Sequence, residues 1–103
     1  MSEGSSDASA GAAAPLVRRI ARICNQRGLH ARAAARFVKT AGQFDAEVRV
    51  RKNGTEVSGR SIMGLMMLAA APGTVVELSG TGAEAETAVA ALVRLIECKF
   101  DEA

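Results

Sequence analysis

The 103-residue sequence predicts a single α+β domain, an antiparallel sheet with helices packed on one face. Three observations carry that prediction. Apolar and charged residues alternate over Ala46–Lys52, "AEVRVRK", so this segment is a strand with one face in the core and one in water. Asn53-Gly54 follows at once, the dipeptide that favours a two-residue hairpin of type I′. Elsewhere single strands interleave with segments of helical period, giving the order β-α-β-β-α-β-α. A chain of this size buries roughly two-thirds of the surface its unfolded form exposes, enough for one core and one domain.

Each element has a local reason. Residues 1–15, "MSEGSSDASAGAAAP", are Ser, Ala and Gly closed by Pro15, and read as a disordered tail ahead of a domain spanning 16–103. Leu16–Cys24, "LVRRIARIC", leans to strand through its Ile and Val, and "NQRG" follows as a loop. Ala31–Ala41 is rich in the strong helix formers alanine and arginine. Its Ala34, Phe37, Val38 and Ala41 recur at helical spacing as an inward face, Arg32, Arg36 and Lys39 share another, and Gly42 is expected to end the helix as a C′ residue. "TEVSG" is the return strand of the hairpin. Ser61 is an N-cap residue for an apolar helix, "SIMGLMMLAAA", that Pro72 and Gly73 stop. "TVVELSG" is the fourth strand. Thr81 with Glu84 three residues later forms a capping-box pattern ahead of a last helix reaching about Cys98. Ala85, Val89, Leu92, Val93 and Ile96 are its buried stripe, and Lys99 suits the negative end of its dipole.

Charge is nearly balanced in total but unevenly spread. No acidic residue lies between Ala8 and Phe44, where Arg18, Arg19, Arg22, Arg27, Arg32, Arg36 and Lys39 accumulate, while the sequence from Glu77 onward is acidic in balance. One part of the surface is therefore suited to an anionic partner. Cys24 and Cys98 show neither CxxC nor zinc spacing and read as free thiols in a reducing compartment. The start carries no secretory signal pattern, and no run approaches the ~18 apolar residues of a membrane span, so a cytoplasmic protein without membrane insertion is expected.

His30, the only histidine of the chain, stands in "GLHAR" at the junction between loop and helix. The first-turn N–H groups of Ala31, Arg32 and Ala33 lack intrahelical partners there, and the helix dipole places partial positive charge at the same point. With the Arg32 guanidinium they form an anion site around an imidazole. Near neutral pH an imidazole has a free ring nitrogen able to attack, so this pattern suits a transiently phosphorylated nucleophile. Taken alone, a histidine near a helix start is more often a polar loop residue. No second histidine, CxxC or HxxE supports a metal, no cofactor is implied, and no acid near in sequence offers a general base for stand-alone catalysis.

"GLHAR" opening a basic helix, with "SIMGLMML" about thirty residues later, resembles the family of histidine-containing phosphocarrier proteins of the bacterial phosphotransferase system, HPr. The resemblance spans roughly Leu16 to Glu102. It implies the open-faced β-sandwich, phosphorylation of His30 through Nδ1, and Arg32 as the arginine of the phosphate site. It implies a phosphocarrier rather than an enzyme, a monomer that accepts its phosphoryl group from enzyme I and passes it to enzyme IIA-type proteins. Ser61 matches the family's regulatory serine, the target of HPr kinase/phosphorylase in many bacteria. Ile62, Met63 and Met66 match the partner-docking surface, beside Arg36, and flexible methionines suit a surface that fits several partners. One departure is Ala33, where the family's motif has proline. "FDAEV", "GTEV" and "KFDEA" lean toward the nitrogen-related branch, NPr, over the sugar-transport branch.

Two other readings compete. A small nucleic-acid-binding module would use the arginine cluster, but only three phenylalanines are present and no stacking platform is evident. A relative of HPr that docks onto a regulator without carrying phosphate would not need His30 and Arg32 together.

Overall fold

The computed structural model describes residues 16–102; the tail predicted for residues 1–15 lies outside them. Four strands, β1 (Val17–Arg22), β2 (Glu47–Lys52), β3 (Thr55–Ser58) and β4 (Val75–Thr81), alternate with helices α1 (Ala31–Ala41), α2 (Ile62–Met67) and α3 (Ala85–Glu97) in the predicted order. The sheet order is β1-β4-β2-β3, with every neighbouring pair antiparallel. The strands that are sequence neighbours in the hairpin, β2 and β3, pair directly, while β4 inserts between β1 and β2.

The alternation in β2 sets the layers. Val48 and Val50 are buried under the helices, and Glu47, Arg49 and Arg51 lie on the open face. There Arg49 pairs with Glu56 (2.5 Å) and Glu47 (3.6 Å), and Arg51 with Glu77 (3.1 Å). The covered face carries the core, whose largest fully buried side chains include Phe37, Ile23, Leu65, Leu78, Leu92 and Ile96. Asn53 and Gly54 both take positive φ, 50° and 83°, as the type I′ turn requires.

Four local expectations need correction. Gly42 caps α1 in the right-handed region, φ −70°, not as a left-handed C′ residue. The chain there tightens through bonds from Gln43 N–H to Thr40 O and from Phe44 N–H to Ala41 O instead. Helix α2 stops at Met67, well before Pro72. Ala69 takes a left-handed φ of 52°, which breaks the helical path, and the carbonyls past the helix are met by tertiary donors: Lys52 Nζ donates to Leu68 O (2.8 Å) and Ala69 O (3.2 Å), and Leu29 N–H donates to Ala70 O (2.9 Å). The capping box at Thr81 and Glu84 does not form: Thr81 belongs to β4, and the Glu84 carboxylate instead accepts the Asp45 N–H (2.6 Å). Val93, assigned to the buried stripe of α3, is only partly buried, and Ala88 completes that stripe.

Candidate functional site

The loop Asn25–Leu29 brings His30 to the start of α1. Asn25 is fully buried, and its Nδ2 donates to Gly28 O at 2.7 Å, closing the loop on itself. Gly28 has φ +68°, and a Cβ on it would stand 2.6 Å from Ala70 O. Only glycine fits both the left-handed backbone and this approach. Leu29 is buried and anchors the turn by its N–H bond to Ala70 O.

His30 is then the N-cap of α1, with extended backbone, and its O accepts the first intrahelical bond, from Ala34 N–H (2.8 Å). Its Nδ1 accepts the Arg32 backbone N–H at 3.2 Å. An imidazole here replaces the usual Ser or Asp cap. Because Nδ1 accepts, the ring proton belongs on Nε2, and the Nδ1 lone pair points at the donor-rich helix end. The side chain is mostly but not wholly covered, 18 % exposed.

A cavity of about 120 Å³ opens beside the ring, lined by Arg27, His30, Arg32, Ala33, Arg36, Phe100, Asp101 and Glu102. Of the arginines grouped in the sequence, three converge on this cavity. Arg18, Arg19 and Arg22 instead lie on β1, where Arg22 donates to Gly73 O (3.1 Å). Arg32 is exposed at the rim, whereas Ala33 is buried. Arg36 pairs with Asp101 at 3.4 Å, both well exposed. A larger cleft of about 460 Å³, lined by Asp45, Glu47, Ser58, Arg60 and Thr81 among others, lies at the opposite end of the sheet and contains no histidine.

Glu102 is the site residue that the sequence did not reveal. Its Oε2 lies 3.3 Å from His30 Nε2, and its Oε1 accepts the Gln26 N–H at 2.9 Å. No acid is near His30 in sequence, but the segment after α3 folds back to supply one. Lys99, Phe100 and Asp101 all have φ between 54° and 58°, a left-handed turn of three non-glycine residues. Such backbone costs about 1–2 kcal/mol per residue. Buried Phe100 and the bonds from Asp101 N–H to Cys98 O and from Glu102 N–H to Lys99 O hold it. Partial burial pushes the Glu102 carboxyl up, but the Asn25 side chain, the Gln26 and Arg27 backbone N–H groups and His30 outweigh it and hold the group below its ordinary value. The one sequence signal was the acidic "FDE" after α3, which is without meaning until the turn is known.

Ser61 caps α2, its Oγ accepting the Gly64 N–H at 2.9 Å. Of the apolar residues on this helix, Leu65 is buried, while Ile62, Met63, Met66 and also Met67 are exposed at 41 %, 72 %, 41 % and 79 %. Six residues of helix with one buried large side chain leave an apolar patch facing water. Helix α2 packs on α1, the helix that His30 caps. No group of three or more metal-ligating side chains gathers among the described residues, and no helix among them is long and apolar enough to cross a membrane.

A lone imidazole capping a basic helix on an open-faced antiparallel sandwich is the architecture of a small phosphocarrier protein, and the comparisons with known proteins agree on that class. A family profile described as "PTS HPr component phosphorylation site" matches residues 17–98. The chain is 56% identical over 80 residues to the phosphocarrier protein HPr of Neisseria meningitidis serogroup A, covering 78% of this chain and 90% of that one. It is 42% identical over 81 residues to the phosphocarrier protein NPr of Shewanella violacea, covering 79% and 89%. The crystal structure of HPr-C-His from Thermoanaerobacter tengcongensis superimposes with a TM-score of 0.81 at 46% identity, covering 84% of this chain and 98% of that one. The chain belongs to the HPr family of phosphocarrier proteins of the phosphotransferase system. Both HPr and NPr names occur among its relatives, with the greater identity to the HPr just described, so the NPr-like segments do not assign the branch.

Proposed function

We propose that His30 accepts a phosphoryl group on Nδ1 from enzyme I, charged by phosphoenolpyruvate, and passes it to enzyme IIA-type acceptors in the cytoplasm. One observation carries this reading: Nδ1 sits 3.2 Å from the Arg32 backbone N–H at the head of α1, in a cavity that Arg27, Arg32 and Arg36 line. When a phosphorus atom takes the Nδ1 lone pair, that N–H is released and is positioned to bond the phosphoryl oxygens. The neighbouring first-turn N–H groups of Ala31 and Ala33 and the Arg32 guanidinium face the same charge. A helix start contributes on the order of 1 kcal/mol to an anion, up to ~2 when partly buried. That orients the group without trapping it, as carriage requires.

Ile62, Met63 and Met66, with Arg36, form the docking surface in this reading, and Met67 extends it. Ser61 is the regulatory position, a substrate for HPr kinase/phosphorylase where that enzyme is present. A phosphate there places nearly two negative charges beside the apolar patch, which a docking partner must then desolvate. The test is direct. Incubated with phosphoenolpyruvate and a cognate enzyme I, the protein should gain one phosphate that is labile in acid and stable in alkali, and His30→Ala should abolish it without unfolding the domain. Full labelling of that variant, or an acid-stable product from the wild type, refutes the proposal.

A further inference from the structure

Three of the chain's four methionines stand within five residues, at Met63, Met66 and Met67, and all three side chains are exposed. Methionine commonly fills gaps in a core; none of these three does. What holds α2 in place does not involve them. Leu65 is its buried anchor. The Ser61 cap closes the first turn through the Gly64 N–H. Gly64 lies against β3, where a Cβ on it would stand 3.1 Å from Val57 Cβ. Past the last turn, the Lys52 ammonium at the end of β2 donates to Leu68 O and Ala69 O, a cation at the negative end of the helix. The three thioethers therefore have no part in keeping the helix folded, and their sulfur chemistry is open to solvent. The two thiols, Cys24 and Cys98, are exposed as well, but they stand at the C-terminal end of α3 rather than on α2, with Cys24 Sγ donating to Ile96 O at 3.4 Å.

We propose that Met63, Met66 and Met67 form an oxidation-sensitive modification site, at which a hydroperoxide converts the thioethers to sulfoxides and reversibly closes the docking surface without unfolding the domain. The proposal rests on the reading of α2 as that surface. The step balances. A sulfur lone pair attacks one peroxide oxygen, the S–O bond forms as the O–O bond breaks, and the proton on the transferred oxygen passes to the leaving oxygen, which departs as water or an alcohol. Sulfur is oxidised by two electrons and the peroxide is reduced by two. A methionine sulfoxide reductase reverses the change, the sulfoxide oxygen leaving as water while two thiols become a disulfide. The product is a polar acceptor where the sequence had an apolar side chain. In water its oxygen is solvated, but beneath a partner it must find a donor or be left without one. This differs from a phosphate on Ser61, because a sulfoxide adds a dipole and no net charge.

The full chain is treated with hydrogen peroxide, the excess is destroyed with catalase, and dithiothreitol then reverses disulfide and sulfenic acid formation at the cysteines. Peptide mass spectrometry should find one added oxygen on Met63 and Met67 ahead of Met66, in the order of their exposure. Thermal denaturation followed by circular dichroism should leave Tm close to that of the untreated protein. Calorimetric titration should then show Kd for enzyme I raised roughly tenfold or more, the scale of burying an unpaired polar group. The defect should be the same at low and high ionic strength, because no charge is added. Treatment with methionine sulfoxide reductases should restore the original Kd. A variant carrying Met63→Leu, Met66→Leu and Met67→Leu controls for the remaining thiol chemistry: whatever its starting affinity, peroxide should not change it. Sulfoxide-bearing wild type that docks as tightly as untreated protein, an equal loss in the leucine variant, or a collapse of Tm overturns the proposal while leaving α2 as the docking surface. Methionines that stay unmodified under conditions that oxidise free methionine overturn it as well. A variant with Met63→Ala and Met66→Ala that docks like wild type overturns the underlying reading and this proposal with it.

Discussion

Replacing Gly28 with alanine should damage both stability and the site, and the size of the effect follows from two separable causes. The first is conformational. At φ +68° a non-glycine residue pays about 1–2 kcal/mol for the left-handed region. The second is steric. The added Cβ would stand 2.6 Å from Ala70 O and 3.1 Å from Ala71 Cα, both backbone atoms, so the contact cannot be relieved by turning a side chain. Relief requires the Ala70 carbonyl to retreat, which stretches its bond to Leu29 N–H, now 2.9 Å, and puts about 0.5–1.5 kcal/mol at risk. Together the loss is about 2–3 kcal/mol, or roughly 10–20 °C in Tm for a domain of this size. Gly54→Ala is the control. Gly54 also has positive φ, +83°, but no atom lies within 4 Å of its would-be Cβ. It carries the conformational cost alone, about 1–2 kcal/mol. Urea denaturation followed by far-ultraviolet circular dichroism measures both. His30 N–H bonds to Gly28 O at 2.9 Å, so Gly28→Ala should also slow phosphorylation of His30, whereas Gly54→Ala should not. If Gly28→Ala costs no more than Gly54→Ala, the close approach to Ala70 does not constrain the loop and the reasoning fails.

Four further outcomes are expected. Ser61→Ala removes the cap bond to Gly64 N–H and should cost about 1 kcal/mol in chemical denaturation, whereas Ser61→Asp can replace the cap, leaving Tm nearly unchanged while weakening docking to enzyme I. Added salt should narrow the Ser61→Asp defect but not that of Met63→Ala, in titrations of enzyme I at two ionic strengths. Ala33 N–H stands outside the helical ladder, so Ala33→Pro should stabilise by roughly 0.4–1 kcal/mol through the unfolded state; a loss in denaturation would show that the packed surroundings of this buried residue exclude the ring. Because the Glu102 carboxyl is held below its ordinary value, its contribution is present above the unfolded-state value and is lost as pH falls through the folded one. The stability gap between wild type and Glu102→Gln should therefore close on acidification through the carboxylate range, and a gap independent of pH in denaturation curves would contradict the assigned contacts.

Several elements were legible in the sequence because their causes are local. The alternation in β2 needs only the two-residue period of a strand, and Asn53-Gly54 needs only the positive φ that both residues tolerate. The span of α1 follows from alanine and arginine propensity and from one apolar stripe. His30 at the head of that helix was legible for the same reason, since a loop glycine, a helix-forming run and a single imidazole are adjacent in the chain. The Ser61 cap likewise needs nothing beyond its own first turn. With "GLHAR" and "SIMGLMML" at their spacing, these elements were sufficient to point to the family.

Where local signals failed, a partner distant in sequence competed for the same group. Glu84 has the spacing of a capping box, but the Asp45 N–H, 39 residues away, takes its carboxylate. The α2 segment has helical composition through Ala71, but the chain turns left-handed at Ala69, φ 52°, where Lys52 and Leu29 donate to the carbonyls of Leu68, Ala69 and Ala70. The arginines form one run in the sequence, but strand β1 carries three of them away from the cavity that Arg27, Arg32 and Arg36 share. By itself the sequence determined the elements, the face that each buries, and the histidine that the first helix presents. Only the tertiary structure decided what surrounds that histidine. Glu102 lies 72 residues from His30, and no periodicity links them. The carboxylate reaches the ring because α3 packs across the sheet, Phe100 is buried, and the left-handed turn that follows reverses the chain onto the loop. Local propensity acts over a few residues, whereas a charge beside a ring nitrogen is placed by packing of the whole domain.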